Sequence, residues 1–121
     1  MAPRSQQGHL RVVNARTGLV LAENARIAAT FWTRGRGLLG STGAGGGLWI
    51  APCTSIHTAF MRFAIDALFL SQANLVLAAY SKLSPWRMTR WVRGAVGVLE
   101  LDAGTAGDTV EGDRLEMVPC A

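Results

Sequence analysis

The sequence lacks any apolar run long enough to cross a membrane. A membrane-spanning helix needs about 18 or more consecutive apolar residues, whereas the longest runs here, at residues 67–70 and 75–80, have the length of a strand. Charged residues are also few, at 17% of the chain, while 50% of the residues are hydrophobic. This composition excludes an intrinsically disordered chain. A length of 121 residues predicts one domain that buries about two thirds of its unfolded surface.

Cysteine is scarce, and a targeting signal is not evident. Arg4 near the start has no apolar segment behind it, so we expect a cytoplasmic protein as the chain stands, and an exported one if a leader has been removed. In a reducing compartment, Cys53 and Cys120 predict two free thiols rather than a disulfide. We expect residues 1–9 to form an unordered arm and residues 10–121 to form a single β-rich domain.

Short apolar segments separated by turn residues predict strands. Eight such segments occur, at residues 10–13, 19–21, 25–28, 48–50, 62–70, 75–80, 96–101 and 114–118. Residues 30–39 predict one short helix, although Gly35 and Gly37 each weaken it by about 1 kcal/mol relative to alanine. The predicted fold is therefore mostly β: a single-domain antiparallel β-barrel or jelly-roll-like sandwich of about eight strands with one short helix.

The net charge of +4 is distributed unevenly along the chain. Residues 1–98 hold eleven of the twelve basic residues and two of the eight acidic ones, for a sum of +9, and residues 99–121 sum to −5. The positive charge of residues 1–98 is consistent with binding to an anionic partner. Oppositely charged ends also neutralise each other across a sheet, and we favour this second interpretation.

One glycine pattern has the spacing of a dinucleotide-binding fingerprint, with glycines at positions 35, 37 and 40. That fingerprint needs a helix directly after the glycines and an acidic residue about 20 residues further on. A glycine-rich loop follows instead, and the next acidic residue is Asp66. Residues 43–47 lack the Lys and Ser/Thr of a phosphate-binding loop. We expect no cofactor.

Cys53, His57 and Asp66 lie within one stretch of 14 residues. A thiol activated by histidine is a nucleophile, and the three residue types together can bind a metal ion. However, a nucleophile and its base usually come from distant segments, and zinc ligands are usually paired more closely. We favour a packed histidine, an inert cysteine and a structural aspartate without metal, and keep a small hydrolase or metal-dependent enzyme using these three residues as the alternative.

Asp66 lies in a strand of otherwise apolar residues. Alternation places Ile65 and Ala67 on one face and Asp66 on the other. Since an unpaired buried charge is costly, we expect the Asp66 carboxylate to accept hydrogen bonds from Arg62, Arg34 or backbone N–H groups.

Residues 86–93 interleave two tryptophans, Trp86 and Trp91, with three arginines. This arrangement is typical of platforms that bind single-stranded nucleic acid, but arginine also stacks on tryptophan at ordinary protein surfaces. Nucleic-acid binding through this segment is therefore a second alternative, and we do not expect it.

Three blocks of the sequence resemble the domain of unknown function family 192. They comprise residues 27–30 with 34–40, residues 55–70, and residues 98–105 with 112–115. Leu39, Ser41 and Ala64 stand where the family usually has methionine, arginine and proline. The resemblance extends from Asn14 to Glu116. It implies a small β-barrel or jelly-roll-like domain without an established activity, in a family where many relatives carry an export signal.

We therefore predict a non-catalytic ligand-binding or scaffold domain of an uncharacterised family. Its expected partner is a small ligand or a protein, and neither a membrane nor a nucleic acid. We expect no catalytic residue. The resemblance places Arg34, Asp66, Glu100 and Asp113 at characteristic polar positions of the family. His57 and Arg62 lie in the block of residues 55–70. The candidate ligand-binding residues are Arg34, His57, Arg62, Asp66, Glu100 and Asp113.

Overall fold

The computed structural model describes residues 8–27, 46–59 and 61–120. Within these ranges, seven strands form one sheet: β1 (His9–Asn14), β2 (Val20–Ile27), β3 (Leu48–Ile50), β4 (Ile65–Leu70), β5 (Val76–Leu83), β6 (Gly97–Asp102) and β7 (Leu115–Cys120). Their order across the sheet is β5-β4-β6-β3-β2-β1-β7. The described chain is mostly β, as predicted.

The sheet is mixed and curled. Strands β2 and β3 pair in parallel, whereas the other neighbouring strands pair in antiparallel. A bridge between Leu75 and Arg114 brings the start of edge strand β5 to the start of edge strand β7, which curls the sheet into a half-barrel. The prediction of a wholly antiparallel sheet was therefore wrong. It assumed that consecutive strands are joined by hairpins, whereas β2 and β3 pair in parallel.

The described residues contain one strand fewer than the eight predicted, and no helix. The segments expected at residues 19–21 and 25–28 are one strand, β2. Leu10 pairs with Ala25, but Val12 pairs with Ala22, so two residues of β2 lie opposite one residue of β1. This β-bulge accommodates Glu23 and Asn24, which lie between the two predicted segments. The helix expected near residues 30–39, the glycine pattern at residues 35–40 and residues 1–7 of the expected arm lie outside the described residues.

Apolar residues cover both faces of the central strands. All six residues of β4 are buried, and their side chains alternate as predicted. We call one face the Phe69 face; its buried sheet residues are Leu48, Ile50, Ile65, Ala67, Phe69, Ala78 and Val98. We call the other the Leu68 face; its buried residues from the two central strands are Leu68, Leu70, Leu99 and Leu101. Nowhere in the described ranges is there a helix long and apolar enough to span a bilayer.

Gly97 allows the Trp49 ring to lie directly against β6. A Cβ atom at position 97 would be 2.5 Å from two atoms of that ring and 2.8 Å from the carbonyl oxygen of Ile50. We expect Gly97→Ala to lower the free energy of unfolding by about 1–3 kcal/mol, because the half-buried ring and the β3 backbone must move to admit the methyl group. Urea denaturation measures this change. An unaltered midpoint would show that the ring does not pack so closely.

Candidate functional site

Both oxygens of the Asp66 carboxylate accept hydrogen bonds from backbone N–H groups. One oxygen accepts a hydrogen bond from the N–H of Lys82 at 2.8 Å, and the other accepts from Gly104 at 3.0 Å and Ala106 at 2.9 Å. Lys82 has a φ of 53° and lies where the β4–β5 register shifts, so its N–H needs an acceptor outside the regular ladder. Of the expected partners, the backbone N–H groups are the ones that the structure records. Asp66 therefore connects β5 to the turn after β6.

Asp113 is a second structural carboxylate. It accepts hydrogen bonds from the Asn14 amide at 3.0 Å, from the Arg16 guanidinium at 2.6 and 3.0 Å, and from the N–H of Val110 at 2.9 Å. The Arg16 hydrogen bond, followed by those of Val110 and Asn14, holds the pKa of Asp113 well below its usual range. The Asn14 amide also donates to the Thr109 hydroxyl at 2.9 Å. Asp113 and Asp66 thus hold opposite ends of the connection between β6 and β7.

Glu100 differs from these two aspartates. It lies on β6 between Leu48 of β3 and Ala67 of β4 and is 5% exposed. Within the part of the chain that the structure describes, the Glu100 carboxylate accepts no hydrogen bond. Burial raises the pKa of this carboxyl from its usual 4.5 to about 7.

The structure does not assemble the Cys53, His57 and Asp66 site. Asp66 is on the Leu68 face, whereas Cys53 packs against the Phe69 face and His57 is exposed on an outer segment. His57 Nδ1 accepts a hydrogen bond from the N–H of Ala59 at 3.3 Å. Among residues 8–27, 46–59 and 61–120, no group of three His, Cys, Asp or Glu side chains could hold a metal ion. Cys53 and Cys120 are not joined by a disulfide in this structure.

Residues 86–93, which we call the aromatic–arginine segment, lie over the Phe69 face and pair with residues 54–58. The buried Thr58 organises the first turn: its backbone exchanges hydrogen bonds with Trp86 and Arg87 at 2.9 and 2.8 Å. Its hydroxyl donates to the carbonyl oxygen of Ser84 at 2.7 Å and accepts from the N–H of Arg87 at 2.8 Å. These bonds fix a turn in which Trp86 has a φ of 64°.

Thr89 fixes the middle of the aromatic–arginine segment. It is also buried, and its N–H donates to the carbonyl oxygen of Ile56 at 2.9 Å while its hydroxyl accepts from the N–H of Ile56 at 3.0 Å. Val92 packs into the Phe69-face core and donates its N–H to Thr54 at 2.8 Å. The backbone of the segment is therefore held at three points, and its other side chains point outward.

The outward side chains form an apolar and basic surface. Met88 is 76% exposed, Trp91 71% and Trp86 64%, which are the largest exposures of large apolar side chains among the described residues. Arg87, Arg90 and Arg93 are exposed between and beside them. The sequence has no acidic residue between positions 66 and 100. A rigid, positively charged surface with protruding apolar side chains has the composition of an interaction site.

Of the six candidate residues, the structure describes five, and it does not bring these five together in one place. Arg34 lies outside the described residues. His57 forms a β-bridge with Met88 of the aromatic–arginine segment, and Arg62 is exposed in the bend before β4. The other three carboxylates are separated as described above. Sequence reasoning missed Thr58 and Thr89, since the only signal was a single hydroxyl residue among apolar or basic neighbours, a pattern common in any loop.

Comparison with known proteins gives a family and two similar folds. A family model for a domain of unknown function, DUF192, described as "Uncharacterized ACR", matches residues 12–117, which confirms the resemblance drawn from the three sequence blocks. A proposed transcription regulator from Sinorhizobium meliloti 1021 superposes with a TM-score of 0.73 at 21% identity, over 92% of this chain and 93% of that chain. A protein of unknown function from Novosphingobium aromaticivorans DSM 12444 gives a TM-score of 0.74 at 19% identity, over 96% and 90%. The curated proteins contain no match.

Proposed function

The chain belongs to the domain of unknown function family 192, and we propose that it is a non-catalytic binding domain that recognises another protein through the aromatic–arginine segment. One observation carries this proposal. The three most exposed large apolar side chains of the described residues, Met88, Trp91 and Trp86, fall within six consecutive positions of one rigidly held segment.

The chemistry of the segment favours a protein partner with acidic and apolar residues. Tryptophan, methionine and arginine are enriched in protein interfaces, and tryptophan and arginine dominate the residues whose truncation weakens binding most. The arginines and the missing acidic side chains favour a negatively charged partner, which speeds association and excludes basic competitors. Met88, the most exposed of the three apolar side chains, has no planar face for a base to stack on.

The hydrogen bonds of Thr58 and Thr89 support binding without a large rearrangement. A surface that is ordered before it meets its partner loses less conformational freedom on binding. The φ of 64° at Trp86 is uncommon for a residue other than glycine, and such conformations persist where the surrounding structure imposes them. Asp66 and Asp113 fit this proposal because their oxygens are occupied by protein donors, as expected of carboxylates that support the fold rather than a reaction.

Nucleic-acid binding is the second candidate. A similar fold is named as a proposed transcription regulator, and arginines interleaved with tryptophans occur in single-strand binding sites. The two candidates differ in their dependence on salt. Nucleic-acid binding that uses several arginines weakens steeply as salt is added, whereas docking dominated by buried apolar side chains weakens less.

Selection of peptides from a random library on the purified protein tests the proposal. We expect enrichment of peptides that combine Asp or Glu with large apolar residues. Trp91→Ala and Met88→Ala should each weaken a selected peptide at least tenfold, a loss of about 1.4 kcal/mol or more. Fluorescence anisotropy at physiological ionic strength measures these affinities.

Matched variants on the opposite edge of the sheet serve as controls. Val118→Ala removes an apolar side chain that is 56% exposed on β7 and should leave peptide affinity unchanged. Arg114→Ala, which removes an exposed arginine just before β7, should also leave peptide affinity unchanged. Failure to enrich any peptide class above the Trp91→Ala background would contradict the proposal. Micromolar binding to oligothymidine that weakens with added salt would favour the nucleic-acid candidate instead.

A further inference from the structure

Met88 has the most exposed large apolar side chain of the described residues, at 76%. Two other methionines are described. Met61 is 8% exposed within the Phe69-face core, and Met117 is half-buried against the Leu68 face. Because an oxidant must reach the sulfur, oxidation of a methionine follows its exposure. Among the described methionines, Met88 is therefore the one that a water-soluble oxidant reaches first.

The backbone keeps the Met88 side chain at the surface. Met88 forms a β-bridge with His57, and the next residue, the buried Thr89, donates its N–H to the carbonyl oxygen of Ile56 at 2.9 Å. Since neighbouring side chains of an extended segment point in opposite directions, the inward direction of Thr89 turns Met88 outward. The Met88 sulfur therefore stays outside the core as long as the segment keeps these hydrogen bonds.

Oxidation reverses the chemical character of a side chain in the middle of the proposed interface. A methionine side chain is apolar and flexible, whereas methionine sulfoxide is polar, and its oxygen accepts hydrogen bonds. An interface that buries this oxygen without a donor loses affinity. The oxygen also carries partial negative charge close in sequence to the exposed Arg87 and Arg90, for which it competes with the acidic groups of the partner.

We propose that Met88 is a reversible oxidation site, and that conversion of its thioether to the sulfoxide switches off partner binding by the aromatic–arginine segment. This inference rests on the proposed function. With hydrogen peroxide as oxidant, a sulfur lone pair attacks one peroxide oxygen, so that an S–O bond forms and the O–O bond breaks. The sulfur loses two electrons, and the second oxygen leaves as hydroxide, which takes the proton of the transferred oxygen and becomes water. Methionine sulfoxide reductases reverse the change with a dithiol, which becomes a disulfide while the oxygen leaves as water.

Treatment of the purified protein with hydrogen peroxide tests the selectivity. In protein labelled with ¹³C at the methionine methyl groups, ¹H–¹³C spectra follow each methionine separately, with signals assigned from methionine-to-leucine variants. We expect Met88 to convert to the sulfoxide roughly tenfold faster than Met61 and Met117, because exposure governs access to the sulfur. The urea midpoint should not change on conversion of Met88, whose side chain lies outside the core. Conversion of Met61 or Met117 as fast as Met88 would overturn the proposal.

Binding of a selected acidic–apolar peptide to the same samples, measured by fluorescence anisotropy, tests the switch. We expect oxidation to weaken binding roughly tenfold or more, as expected for Met88→Ala, and reductase treatment to restore it. Met88→Leu is the matched control, since leucine has a similar volume and no sulfur, and it should bind the peptide equally before and after peroxide. Met88→Gln, which introduces a polar side chain of similar length, should bind as weakly as the oxidised protein.

The outcomes separate this inference from the proposed function. Equal losses of affinity in the parent protein and Met88→Leu after peroxide treatment would assign the effect to another group, such as a cysteine, and overturn the proposal. Full affinity of protein oxidised at Met88 would disprove the switch and leave the proposed function intact. Absence of peptide binding before peroxide is added would contradict the proposed function, and this inference with it.

Discussion

Asp66→Ala is expected to lower the free energy of unfolding by about 3 kcal/mol. The substitution leaves the N–H groups of Lys82, Gly104 and Ala106 without their acceptor, and hydrogen bonds to a charged group contribute about 1.5–3 kcal/mol. The loss is limited because Lys82 and Gly104 are exposed, so their N–H groups can donate hydrogen bonds to water instead. Urea denaturation at neutral pH measures the change.

Two further variants test the cause of this loss. Asp66→Asn should cost less than Asp66→Ala, because the amide oxygen still accepts hydrogen bonds. His57→Ala should leave the unfolding midpoint nearly unchanged, because the side chain is exposed and its recorded contact is one bond within its own turn. If Asp66→Ala were as stable as the parent protein, the structural role of this carboxylate would be disproved.

Glu100→Gln is expected to raise the free energy of unfolding by about 3 kcal/mol at pH 8. Burial raises the pKa of the native carboxyl to about 7, compared with 4.5 ordinarily, and each unit of difference corresponds to 1.36 kcal/mol. Below pH 4.5 both states are protonated and there is no penalty. Between pH 4.5 and 7 the unfolded state binds fewer protons than the native state, so stability falls as pH rises. Above pH 7 the full penalty is present.

The pH dependence distinguishes this effect from a change in packing. Glutamine has nearly the same shape and does not ionise, so the variant and the parent protein should be about equally stable at pH 4 and should diverge between pH 5 and pH 7. Thermal or urea unfolding across this range is the measurement. A constant difference at every pH would show that Glu100 does not titrate abnormally in the native state.

Short apolar segments predicted the positions of most strands, and alternation predicted which side chains of β4 share a face. Ile65 and Ala67 lie on one face and Asp66 on the other because side-chain direction in a strand follows from sequence position alone. The merging of two predicted segments into β2 was not predictable in this way. Glu23 and Asn24 resemble a turn locally, and only pairing with β1 shows that they occupy a bulge. The parallel β2–β3 contact likewise depends on residues distant in sequence.

The roles of the acidic residues could be predicted only in part. A carboxylate in an apolar strand must have partners, which predicted hydrogen bonds to Asp66 from Arg62, Arg34 or the backbone; the structure records the backbone ones. No comparable argument separates Glu100 from Asp113, because the sequence does not show which side chains lie next to either carboxylate. What distinguishes them is that the fold brings Asn14 and Arg16 to Asp113 and brings apolar Leu48 and Ala67 to Glu100. The same holds for Thr58, whose importance lies in a turn 26 residues away.

Mapping a selected acidic–apolar peptide onto the protein by ¹H–¹⁵N chemical-shift changes tests the central claim most directly. We expect the perturbed amides to lie in residues 53–58 and 84–96, with the largest changes near Met88 and Trp91, and the connection between β6 and β7 to stay unaffected. Perturbations centred on that connection or on β7, with the aromatic–arginine segment unchanged, would contradict it.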